Sequence, residues 1–156
     1  MKRQLGELPF RIDIRPLGGH VSGPTVILVH GNQVLNTVYV HDDRPDSFLE
    51  KMGQGLGARG GDIVCFGHTH KPWHRVVNDV HYVNTGSVGR PKDGDWRAGY
   101  VLLEILPGGV GVEFVRVEYD IDTAMRAIRE SELPDEFADY LRTGGRPTPA
   151  AIGVTF

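Results

Sequence analysis

Residues 62–72 read DIVCFGHTHKP. A short apolar run reaches a glycine, and two histidines one residue apart follow it, His68 and His70. The run fits a strand buried on both faces. A second stretch, PTVILVH (24–30), has the same form and ends in His30-Gly31. In open α/β sheets, functional groups gather at the carboxyl ends of strands. Three imidazoles are therefore expected at one rim. On extended backbone, residues two apart share a face, which would turn His68 and His70 toward one cation or two neighbouring ones. Neutral imidazole suits zinc, manganese, iron and nickel. Gly31 and Gly67 leave room for close backbone approach. For His68 and His70 the competing reading is two loop histidines, solvated or bonded to carbonyls.

Outward from this rim, FRIDIR (10–15) alternates strictly, with Phe10, Ile12 and Ile14 on one side, and predicts a half-buried strand. DDRPDSFLEKMGQGLGARGG (42–61) is helical in its first half, with Asp43 as a cap. Gly53, Gly55 and Gly57 weaken the second half. HRVVNDVHYVNTGS (74–87) predicts a hairpin turning at Asn78-Asp79. A second hairpin spans 98–106 and 110–119, with a bulge near Phe114-Val115 where the apolar phase changes. Two short helices follow. Asp120 or Asp122 caps the first, which presents Ile121, Ala124, Met125 and Ile128. The second starts near Pro134 and stops at Gly144-Gly145. Residues 1–143 read as one domain and 144–156 as an extended tail.

The chain has 156 residues, a net charge of −3 and one cysteine, Cys65. One cysteine forbids an internal disulfide and agrees with a reducing compartment. The charge lacks the basic footprint of a non-specific nucleic-acid binder. No stretch approaches the roughly 20 apolar residues that span a bilayer, and the N-terminus is no secretory signal. These features predict a soluble cytoplasmic protein without a nucleic-acid or membrane partner.

With HG after one strand, GHTH after the next, then VNTGSVGRP and GD-x-x-A-x-Y, the chain resembles the calcineurin-like metallophosphoesterases, in the branch of small bacterial and archaeal phosphodiesterases. The resemblance implies an α/β fold: a β-sandwich flanked by helices in α-β-β-α layers. It implies a two-metal centre acting on a phosphate ester, with divalent cations, Mn2+ first and Zn2+, Fe2+ or Ni2+ as alternates. His30 and His68 would hold the second metal and His70 the first. Asn84, Gly86 and Ser87 would shape the loop behind the site. Two cations about 3.5–4 Å apart clamp the phosphate, activate a water and neutralise developing charge.

The family pattern also includes an Asp-x-His strand, a Gly-Asp and a Gly-Asn-His-Asp/Glu, in that order. Asp13-Ile14-Arg15 has no histidine, Gly61-Asp62 stands after the HG motif, and Gly31-Asn32 is followed by glutamine. The chain thus reads as the carboxyl-terminal three-fifths of the usual domain. No catalytic acid or bridging carboxylate is assigned. Three neutral histidines hold two dications poorly without an anion to offset their repulsion. An uncovered sheet edge is expected, with a second copy or a complementary N-terminal segment as partner. The alternative function is a non-catalytic module of the same fold, acting in oligomerisation or binding. A structural zinc protein is a third reading, weakened by the lack of a C-x-x-C. His41, Asp42 and Asp43 read as a solvated loop, and His20, His74 and His81 as surface residues. Lys92, Asp93, Asp95 and Arg97 read as solvated, and Trp73 or Trp96 could wall the cleft.

Overall fold

A computed structural model describes residues 6–15 and 23–147. His20, most of the loop at 16–23 and the tail beyond residue 147 lie outside that set. The fold is mixed α/β, with a central sheet and flanking helices. The strands among the described residues are β1 (Arg11–Ile14), β2 (Val26–Val29), β3 (Ile63–Phe66), β4 (Trp73–Val77), β5 (Val80–Asn84), β6 (Ala98–Leu106) and β7 (Gly109–Val117). The helices are α1 (Asp46–Leu56), α2 (Ile121–Arg129) and α3 (Glu136–Arg142).

Five strands form one sheet in the order β1-β2-β3-β5-β4, and β6-β7 form a second. Strands β2, β3 and β5 are mutually parallel neighbours, while β1 and β4 run antiparallel at the two edges. The parallel trio follows from sequence: β2 and β3 alternate between two buried faces. Ile27, Val29, Val64 and Phe66 pack with Tyr82 against Leu49, Met52 and Leu56 of α1. Val26, Ile63, Cys65 and Val83 face the other way, onto Val101, Leu103, Val110 and Val112 of the β6–β7 hairpin. The result is helix, sheet, sheet. Helices α2 and α3 build a separate cluster with Trp96 and Tyr119. The outer face of β6–β7 leaves Tyr100, Leu102, Leu106 and Val117 exposed.

Several expectations are corrected. Helix α1 begins after Pro45 without a side-chain cap, so Asp43 does not cap it. It also runs through Gly53 and Gly55. At Gly53 an added Cβ would stand 2.2 Å from the Tyr82 hydroxyl, so the glycine admits a buried ring and its loss of propensity is offset by packing. The β6–β7 register is continuous through Phe114↔Val101 and Val115↔Tyr100, with no bulge; the phase change instead leaves Phe114 exposed. Strand β1 is exposed on both faces rather than half-buried. The hairpin turn is as expected: Asn78 and Asp79 have φ of 49° and 61°, the type I′ signature. Asp120 caps α2, its carboxylate accepting from the Thr123 backbone N–H at 3.0 Å.

Candidate metal centre

Because β2, β3 and β5 are parallel, their carboxyl ends open on one rim. His30 leaves β2, His68 and His70 follow β3, and Thr85, Gly86 and Ser87 follow β5. All six line one cleft of about 440 Å³.

Three backbone features shape the rim. Gly67 N–H donates to the His30 carbonyl at 3.0 Å, tying the ends of β2 and β3. After His30 the chain turns sharply. Buried Asn32 accepts from the Val34 and Leu35 N–H groups at 2.9 Å, and a Cβ on Gly31 would stand 2.6 Å from the Leu35 carbonyl. Gly31 is therefore required. Gly67 is not, since its added Cβ would meet nothing closer than 3.9 Å. Third, His68 and His70 are not extended. Both occupy the left-handed region, at φ 65° and 61°. A left-handed residue other than glycine costs roughly 1–2 kcal/mol, and such conformations cluster at functional sites.

Asn84 holds this loop. It is fully buried at 0% exposure. Its amide nitrogen donates to the Gly67 carbonyl at 3.1 Å and to Thr69 Oγ1 at 2.9 Å, and its oxygen accepts from Gly86 N–H at 3.0 Å. Ser87 Oγ accepts from Arg90 N–H at 2.9 Å, carrying the restraint onward. Gly86 has φ 75°, which suits glycine.

The imidazoles differ in their surroundings. His30 Nε2 faces His68 Nδ1 at 3.1 Å. Without a cation this is a shared proton. With both nitrogens as acceptors it approaches the separation of about 3.3 Å that two ligands 2.0–2.1 Å from one tetrahedral ion adopt. His70 stands apart from that pair. Its Nδ1 lies 2.7 Å from the Arg90 carbonyl, which can only accept, so Nδ1 carries the proton and Nε2 keeps its lone pair. A metal-binding histidine is held in this way. Burial, then His30, lowers the pKa of His68, against an opposing effect of the Thr37 backbone. Burial likewise lowers His70, against the Arg90 carbonyl and with help from Lys92 and Arg90. Both are thereby favoured in the neutral form a metal requires.

The donor set fits a cation in part. The His30–His68 pair and the oriented His70 are suitable imidazole ligands. Among the described residues, however, no group of three or more His, Cys, Asp or Glu side chains comes together as a metal site. The carboxylates that a two-cation centre needs are not among them. Asp62 is buried, but its oxygens accept from the Thr25 and Arg59 N–H groups at 2.7 and 2.8 Å, away from the rim. Cys65 is buried beneath the cleft, and burial pushes its thiol up to about 11.

Some neighbours were not legible in the sequence. Tyr39 packs at a tilt of 33° on His68, 4.2 Å between ring centres, and stacks on His41 at 5.8 Å, so the supposedly solvated loop reaches the site. Lys92 sends its charge toward both His68 and His70, and its N–H donates to the His70 carbonyl at 3.1 Å. Asp93, Asp95 and Arg97 are not merely solvated: Arg116 pairs with Asp93, and Arg97 with Asp95 at 2.7 Å, which holds the Asp95 carboxyl at about 2. Neither tryptophan walls the cleft. Trp73 packs edge-on to Phe66, and Trp96 packs on Tyr119. His74 and His81 share a hydrogen bond of 3.1 Å on the β4–β5 hairpin.

Among the described residues, no helix is long and apolar enough to cross a membrane. The uncharacterised protein MJ0912 of Methanocaldococcus jannaschii is 33% identical over 142 residues, covering 80% of this chain and 54% of that protein. The crystal structure of hypothetical protein PH1004 from Pyrococcus horikoshii matches 94% of this chain and 55% of its own, with TM-score 0.74 and 21% identity. A metallophosphoesterase from Sphaerobacter thermophilus matches 91% of this chain and 60% of its own, with TM-score 0.67 and 23% identity. The chain thus spans little more than half the length of these relatives. Those two structures share its fold. Residues 17–107, more than half of the chain, match the calcineurin-like phosphoesterase superfamily domain. The chain belongs to the calcineurin-like phosphoesterase superfamily.

Proposed function

We propose that this rim is the imidazole half of a metal-dependent phosphoesterase centre. The observation that carries the proposal is the convergence of His30 Nε2 and His68 Nδ1 at 3.1 Å on the ends of adjacent parallel strands. His30 and His68 serve one divalent cation. His70, its Nδ1 fixed on the Arg90 carbonyl, presents Nε2 to a second. The bridging and remaining carboxylates come from outside the described residues. When bound, the cations would supply Lewis-acid polarisation of the phosphate and a more acidic water. The chain's own residues position and neutralise: Asn84 fixes the histidine loop, Tyr39 walls His68, and Lys92 favours an anion at the rim. A phosphate diester is the proposed substrate class. Mn2+ is the proposed working cation in a completed site, while imidazole-only ligands on this chain bind Zn2+ more tightly.

Calorimetric titration with Zn2+ and Mn2+ tests the reading. One cation per chain is expected to bind in the micromolar range or tighter, with binding lost in His30→Ala and in His68→Ala. Undiminished binding in both variants overturns it. A second reading is favoured by the missing third ligand: a module of this fold that hydrolyses nothing on its own. Assay of bis(p-nitrophenyl) phosphate with Mn2+ tests the second reading. Turnover by the isolated chain that vanishes in His68→Ala removes the non-catalytic reading.

A further inference from the structure

Strand β1 is an edge with two uncovered faces. Its outward side pairs with no strand among the described residues. Ile12 and Ile14 lie across from Leu28 and Val26, on the face that the β6–β7 hairpin covers further in. Here the hairpin falls short. Ile12 is 45% exposed and Ile14 53%, with Phe10 at 42% beside them. A cleft of about 820 Å³ opens there between Ile14, Val26, Ile105, Leu106 and Val110. On the other face, Arg11 and Asp13 line a second hollow of about 630 Å³ with Ile27 and Arg59. Arg11 Nε bonds Asp13 Oδ1 at 2.6 Å, and Arg15 stands 3.5 Å from the same carboxylate. An apolar row and a charged pair therefore share a free edge, an arrangement that invites strand addition.

We propose that β1 is a self-recognition edge, through which two copies of this chain associate antiparallel across a two-fold axis at Ile12. Directly opposite residues of an antiparallel pair share a face. A two-fold through Ile12 sets Ile12 against its own copy, Phe10 against the partner's Ile14, and Arg11 against the partner's Asp13. Reversing the register order exchanges plus for minus at positions 11 and 13 and keeps 10, 12 and 14 apolar. This charge complementarity selects a second copy over a strand of unrelated sequence. Each intrachain Arg11–Asp13 contact is joined by one across the seam. The four-residue edge is short, and a small interface gives weak association. The dimer is therefore concentration-dependent, and the pairing continues the five-stranded sheet into one of ten strands.

Sedimentation equilibrium of the full chain from about 5 to 500 μM tests this. The apparent mass is expected to rise from 17.2 kDa toward twice that value. Arg11→Asp and Asp13→Arg each place like charges across the seam twice per dimer. Each alone is expected to raise Kd by at least about tenfold. Mixing the two single variants restores a one-to-one pair, and the double variant self-associates again. Recovery on mixing also shows that the single variants are folded. Hydrogen exchange at Phe10–Ile14 is expected to slow as concentration rises. A monomer at every concentration overturns the proposal, and so does a dimer indifferent to the single charge changes. Failure of the mixed variants to pair, when circular dichroism shows both folded, overturns it as well. A strand from another polypeptide at this edge would leave the chain monomeric by itself, the first of those refuting results.

Discussion

Replacing Asn84 with alanine tests whether a buried amide holds the histidine loop in its left-handed form. Asn84 makes three hydrogen bonds, at 3.1, 2.9 and 3.0 Å, from a fully buried position. They do not count equally. The Gly67 carbonyl keeps a second donor, Thr69 N–H at 2.7 Å, and Thr69 Oγ1 keeps the Lys71 backbone N–H at 3.3 Å. Gly86 N–H loses its acceptor outright. Three bonds at about 1 kcal/mol each, with a penalty of roughly 1 kcal/mol for that orphan, give about 3–4 kcal/mol. Against this stands the left-handed cost at His68 and His70, roughly 2–4 kcal/mol together. The two are comparable, so removing the amide both destabilises the fold and releases the loop. Urea denaturation should report the 3–4 kcal/mol, and thermal melting a fall of roughly 6–16 °C for a chain of this size. Zn2+ affinity should fall at least about tenfold, beyond what global stability accounts for at a temperature where the variant stays folded. Asn84→Asp, which keeps an acceptor for Gly86 but loses both donors, should fall between. Destabilisation below about 1 kcal/mol with unchanged Zn2+ binding would refute the reasoning.

Other perturbations have definite signs. Cys65 should resist alkylation at pH 8 in the native state and react once unfolded, because burial pushes its thiol up to about 11. The folded state holds this proton more tightly than the unfolded one, so stability is full below about pH 9 and declines toward pH 11. The loss reaches roughly 2–3 kcal/mol, readable in denaturation midpoints and absent in Cys65→Val. Gly53→Ala should destabilise by about 2 kcal/mol despite a gain in helix propensity, since the new methyl meets the buried Tyr82 hydroxyl; Tyr82→Phe should recover part of the loss. Asp62→Ala leaves the Thr25 and Arg59 N–H groups without acceptors and should cost about 2–4 kcal/mol in denaturant unfolding. Asp62→Asn, with one acceptor left, should cost less.

The strands and helices were largely readable because each carries a local signal. VILV and IVCF are continuous apolar runs, and two buried faces need no more than that. Asn78-Asp79 and Asp120 act through their own backbone and so declare themselves at short range. What failed depended on distant partners. The glycines of α1 look like helix breakers until Tyr82, 29 residues beyond Gly53, is brought against them. The alternation of β1 promised a buried face, but burial is a property of what lies opposite, and the β6–β7 hairpin falls short of Ile12 and Ile14. At the rim, the two strand ends identified the histidines that meet, yet His68 and His70 meet the cleft through a left-handed loop rather than an extended one. Tyr39 and Lys92 were missed because no spacing rule connects them to the HxH pair. Their proximity is created by the turn at Gly31 and by the docking of the 90–95 loop.

That docking has a consequence for how the site matures. The carbonyl of Arg90 orients His70, and the Arg90 side chain lies over Phe137 and Tyr140 at 4.5 and 5.8 Å. Gly94 N–H donates to the Gly144 carbonyl at 2.9 Å, and a Cβ at Gly144 would meet the backbone at 2.5 Å. The brace for a residue near the middle of the chain is thus made late, from residues 137–144. At 5–20 residues per second, roughly 4–15 s of translation separate His70 from Gly144. During that interval a nascent chain carries its histidines without the clamp that sets the tautomer of one of them. If His70 serves a cation as proposed, full loading would follow the synthesis of α3, and a stalled or clipped chain that has lost only α3 would present a slack His70.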